Sequence, residues 1–127
     1  MLKIRAEQLD NIRVAMRDSY VMKMTKEIEN KMRSILPAVT ENYGEKLTND
    51  ISEAVYAAER YDIDDPDQLY DWCVVRIVSK QPFYDLSEFA DILDHPFLSP
   101  YAKARHIILS FFAILALQRD DQSCVQR

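Results

Sequence analysis

Six acidic side chains fall within thirteen positions, Glu59, Asp62, Asp64, Asp65, Asp67 and Asp71, and oxygen ligands on alternate positions are what a calcium loop supplies. The spacing fails in detail. Pro66 and Asp67 stand where the third ligand and the turn glycine belong, and the closing glutamate is missing. The same residues describe a helix start instead, with Asp65 as N-cap, Pro66 at the first helical position and Gln68 completing a capping box.

The remaining reactive side chains are no better placed. His95 and His106 are the only histidines, too far apart for an HExxH zinc pair. His95 precedes Pro96 in a turn, and His106 lies inside a helix beside Arg105. Cys73 and Cys124 form no CxxC pair, and Cys73, within an apolar segment, reads as a small buried hydrophobe. Asp91 and Asp94 share a helix face, but surface acids so spaced are common and nothing around them suggests a cleft. There is no GxSxG elbow, and one glycine in the chain argues for helices and against a phosphate-cradling loop. The expectation is a protein that is not an enzyme and takes no cofactor and no metal.

The elements that would position any site begin with one long helix. Apolar residues fall at Leu9, Ile12, Met16, Tyr20, Met24, Ile28, Met32 and Ile35, in steps of three and four, so one stripe runs down one side. A helix over residues 6–35 is about 45 Å long, and the rest of the chain is expected to pack along it. It starts near Ile4 to Ala6 and stops before Pro37. Its other face carries i,i+4 neighbours such as Lys23 with Glu27 and Glu27 with Lys31, and reads as a solvated face or a docking surface.

Pro37 to Tyr43 suits a short helical turn, and Gly44 is the natural point of reversal. Leu47, Ile51, Val55 and Ala58, with Ala54 and Ala57, make a second amphipathic helix ending near Tyr61. Its small alanines permit close, antiparallel approach to the first. The helix over 66–80, with Leu69, Trp72, Cys73, Val75, Ile77 and Val78, is broadly apolar and should lie well inside. Phe83 and Tyr84 follow in a loop, as core anchors or as part of a binding edge. A short helix over 87–93 turns Phe89, Ile92 and Leu93 inward. Ser99 and Pro100 then start a last helix to about Leu117. Between Ile107 and Leu117 the only polar residue is Ser110. Such a run is too short to cross a bilayer, and it implies either the central helix of the domain or a face covered by another chain.

A chain of 127 residues, 48% apolar and 29% charged, is one globular domain by length and composition. The expected organisation is all-α, a single-domain bundle of about five or six helices over residues 1–118 built on the first helix, with the last helix buried against it, and a disordered tail over 119–127. Residues 1–34 hold eight basic against five acidic residues, and the rest eight against sixteen. A net charge of -5 and a pI of about 5.0 argue against nucleic-acid binding, which normally goes with a basic pI. The N-terminus has no apolar h-region, so a cytoplasmic protein that does not enter the membrane is the expectation.

Several pieces in order are similar to small helical accessory proteins encoded beside type VI secretion effectors and their adaptor chaperones in Gram-negative bacteria. They are Ile4, Arg5, Glu7 and Gln8; Tyr20; Pro37; Gly44, Leu47 and Ile51; Ala58, Tyr61 and Ile63; Tyr70; Phe83; and Ile92, Leu93 and Pro96. The resemblance covers roughly residues 4–105. It departs at Asp62, where a glycine is expected, and in the strength of the apolar stretch after Ile107. It implies a co-chaperone or co-adaptor that stabilises or loads an effector together with its adaptor. The partner-binding candidates are Tyr61, Tyr70, Phe83, Tyr84, Phe111 and Phe112, and a homodimer through the 107–117 face is a further partner reading. The alternative is an acidic immunity protein that covers a basic toxin site, for which the charge of residues 35–127 would steer capture.

Overall fold

The structure, a computed structural model, describes the backbone of residues 6–125 and the side chains of residues 8–114. It contains α1 (Ala6–Ile35), α2 (Pro37–Tyr43), α3 (Leu47–Arg60), α4 (Pro66–Ser79), a 3-10 turn (Phe83–Asp85), α5 (Ser87–Leu93) and α6 (Pro100–Val125). No strand occurs among the described residues, and the fold is an all-α bundle.

Local chemistry sets most boundaries. Pro37 opens α2 one residue after α1 ends, and Gly44 turns the chain at φ 89°, a conformation that a side chain resists. The Asp65 carboxylate accepts the Gln68 N–H at 3.0 Å, with Pro66 as the first helical residue. Ser99 Oγ does the same for the Ala102 N–H at 3.1 Å. The expected capping box is only half formed. The Gln68 amide donates to the Tyr101 carbonyl at 2.8 Å instead, which ties the start of α4 to the start of α6.

The helices pack in the order α1 on α3, α3 on α4, and α4 on α6. Tyr56 OH donates to Asp18 at 2.6 Å and Thr48 Oγ1 to Glu29 at 2.6 Å, so α3 descends as α1 rises and the pair is antiparallel. Ala54, Ala57 and Ala58 are fully buried, and their lack of bulk lets α3 sit between two neighbours. Trp72 Nε1 donates to the Ala54 carbonyl at 2.9 Å and Arg76 pairs with Asp50, which makes α4 antiparallel to α3. The 3-10 turn and α5 then carry the chain back, and α6 runs in the same sense as α4.

The centre of the molecule is α4. Leu69, Trp72, Cys73, Val75 and Ile77 have almost no exposure, and burial pushes the Cys73 thiol well above its ordinary range. This corrects the expectation for the last helix. Ala104, Ile107 and Ile108 of α6 are buried, but Leu109, Phe112 and Ile114 are exposed, and α6 packs on α4 and α5, not along α1. Its backbone also stays helical to Val125, past the expected end at Leu117 and through most of the tail expected to be disordered. Residues 126–127 lie outside the described residues.

The long rod is also covered less than its stripe implies. Val21, Ile28 and Met32 are buried and Tyr20 and Met24 pack against the core, while every residue over 8–17 is exposed. The reason is length: 14 residues of α3 reach about 21 Å, against about 45 Å for the 30 of α1.

Candidate functional site

A relay of aromatic rings leads from the core to a concave, largely apolar surface. Trp72 meets the edge of Phe83 at 4.7 Å between centroids and stacks on Tyr84 at 5.8 Å. Phe83 meets Phe111 at 5.4 Å, and Phe111 meets Phe89 at 5.4 Å. Ring pairs at these separations add to the stabilisation from area burial alone. They hold the 3-10 turn, α5 and α6 against α4, and they leave an open groove of about 480 Å³ where those helices converge. Val74, Val75 and Val78 form its floor, Leu86 and Phe89 one wall, and Phe111, Phe112 and Ile114 the other. Glu88, Ser79 and Gln81 supply its polar edge.

The six expected partner-binding residues do not converge. Phe111, half-buried, and Phe112, exposed, line this groove. Phe83 and Tyr84 are buried behind it, so they act as core anchors and present no binding edge. Tyr70 is half-buried on another face, beside Met24, Ile28 and Lys31, where the Lys31 ammonium sits 4.3 Å from its ring centroid. Lys31 therefore caps an aromatic face where an ion pair with Glu27 was expected. Tyr61 is half-buried at the end of α3.

A polar cluster behind the relay escaped the sequence reading. Arg76, 6% exposed, places Nη2 3.3 Å from Asp50 and donates from Nη1 to Tyr43 OH at 3.4 Å. Tyr43 OH donates in turn to Asp50, and Tyr84 OH donates to Glu53 at 3.0 Å. Burial alone would lower the Arg76 pKa, but Asp50, Tyr43 and Tyr84 outweigh it and raise the value. Burial, then the bond to Glu53, pushes the Tyr84 phenol up, and burial followed by Asp50 raises Tyr43. Each shift moves its group further from titration near neutral pH, so the cluster works as a clamp joining α2, α3, α4 and the 3-10 turn. The partners of Arg76 lie 26 and 33 residues upstream, and no local spacing rule could have found them.

A second concavity, about 510 Å³, lies where α1 passes the α3–α4 corner. Arg13, Met16, Arg17 and Tyr20 face Glu59, Asp62, Ile63 and Asp64 across it. Asp62 holds φ 59° at this corner, so the residue standing where a glycine was expected adopts the left-handed conformation that glycine favours. No group of three or more potential metal ligands occurs among the described residues. His95 Nδ1 accepts the Phe97 N–H at 3.2 Å and orders the turn before α6. Among the described residues no helix is long and apolar enough to cross a membrane. No family model matches the chain, and no curated protein or solved structure matches it.

Proposed function

We propose that this chain is a non-enzymatic, cytoplasmic protein-binding accessory factor, a co-chaperone or co-adaptor that holds a type VI secretion effector for loading together with its adaptor. The observation that carries the reading is the apolar groove between α4, α5 and α6. Its lining is aliphatic and aromatic with a polar edge, the chemistry of a protein-docking surface, and Phe112 is an exposed aromatic of the kind that anchors such contacts. The family resemblance supplies the identity of the partner. The acidic corner at Glu59, Asp62 and Asp64 supports a second reading, an immunity protein that captures a basic toxin surface.

The test is removal of the gene followed by complementation. Effector abundance and export should fall in its absence, return with the wild-type chain, and fail to return with Phe112→Asp, an exposed substitution that leaves the helical circular dichroism intact. Rescue of cells that make the toxin, with export unaffected by the deletion, would move the assignment to immunity. Unchanged export together with no rescue would remove both readings.

A further inference from the structure

Two uncovered apolar surfaces lie at opposite ends of the packing order, and their charges are opposite. On the arm of α1 over residues 8–17, Leu9, Ile12 and Met16 continue the buried stripe into solvent, at 42%, 49% and 68% exposure. Arg13 and Arg17 flank them; both are exposed and in no ion pair among the described residues, although the Arg17 guanidinium lies 5.9 Å from the Tyr56 ring centroid and both line the open concavity with Glu59, Asp62 and Asp64. At the other end, Glu88 stands in the wall of the α4–α5–α6 groove. Asp85, Asp91 and Asp94 are exposed along the same segment and, with Glu88, fall at three-residue spacing.

We propose that the α1 arm of one copy docks in the α4–α5–α6 groove of a second copy, with Arg13 and Arg17 against the acidic α5 rim. The arm is an amphipathic helix of the kind that apolar grooves accept through residues three and four apart. An isolated helix of this length is marginal in water, so a docked arm gains order as well as contact. It cannot reach its own groove. The Asp18–Tyr56 and Glu29–Thr48 bonds pin α1 to α3, and α3 and α4 stand between α1 and α6. Because the two surfaces differ, the contact is head-to-tail. This inference is independent of the effector, since it concerns the purified chain alone. If both hold, self-association and partner docking compete for one groove.

The experiment is sedimentation of the purified full chain over a wide concentration range, with an arm variant (Ile12→Asp with Met16→Asp) and a groove variant (Phe112→Asp). All the substituted side chains are exposed, and circular dichroism checks folding. The wild type should rise from 14.9 kDa toward multiples of that mass, and less so at high salt. Each variant alone should stay monomeric. An equal mixture of the two should recover a dimer and nothing larger, because one intact arm then meets one intact groove. Charge exchange sharpens this: Glu88→Arg should weaken association, and mixing it with an Arg13→Glu, Arg17→Glu chain should restore a dimer. A monomeric wild type at every concentration overturns the proposal. So does a groove variant that still self-associates, which would mean that arm pairs with arm. A mixture of the variants that stays monomeric overturns it as well.

Discussion

The two halves of α1 have the same sequence pattern and opposite fates. Leu9, Ile12 and Met16 are spaced like Tyr20, Met24, Ile28 and Met32, yet the first set is exposed and the second packs against or within the core. Hydrophobic periodicity reports which face of a helix would be buried, and the reach of the neighbouring element decides how much of it is. Here α3 ends at Arg60, a turn past the Asp18–Tyr56 bond, and beyond it only the open concavity against Glu59, Asp62, Ile63 and Asp64 adjoins Arg13, Met16 and Arg17, so every described side chain over 8–17 stays exposed.

The largest expected difference between the halves is in amide hydrogen exchange of the dilute protein. Amides near Ile28 and Met32 should exchange only through global opening, whereas those over 8–17 should be close to unprotected. Equal protection in both halves would break the comparison. Protection of the arm that grows with protein concentration would sharpen it toward docking on a second copy.

Truncation comes next in size. Met32→Ala, at a fully buried site, should cost about 2–5 kcal/mol in a urea melt. A cost comparable to that of an exposed position would mean that the covered half contributes little. On the clamp side, alkaline pH provides a smaller, graded probe. The Tyr43 and Tyr84 phenols of the clamp are raised above their ordinary value of 10.0, chiefly by burial, and so is that of Tyr70 on another face. Above pH 10 the unfolded chain therefore loses protons first and binds fewer than the folded one, so stability falls as pH rises and is level below that point. Urea melts at several pH values check this, and Tyr84→Phe should flatten the decline. The smallest effect is at the arm: Ile12→Ala in dilute protein should change stability by less than about 0.5 kcal/mol, which the same melts would read.

Features set by a few adjacent residues were legible in the sequence. The breaks at Pro37 and Gly44, the Asp65 cap and the Ser99–Pro100 start all follow from neighbours within one turn. The inward position of α4 was readable too, because its apolar residues surround the helix. Features set by distant partners were not. The apolar run of α6 looked central because composition cannot distinguish a face on α4 from a face on solvent. Gln68 matched a capping box by position, but its side chain is held through Nε2 by the Tyr101 carbonyl on another helix. Of the candidate site, Phe111 and Phe112 were identifiable as unusual apolar residues. The groove around them needs Val74, Val75 and Val78 from α4, Phe89 from α5 and Leu86 just before it, and the clamp at Arg76 needs charges brought together by the fold.

The buried thiol of Cys73 offers a clock. Held at the centre of α4 with no exposure and its pKa pushed up by burial, it is closed to alkylating reagents while the bundle is intact. In a chain carrying Cys124→Ser, the rate at which it becomes labelled would time the opening of the central helix directly. A ligand seated in the neighbouring groove would register as a slower clock, whether or not its identity were known.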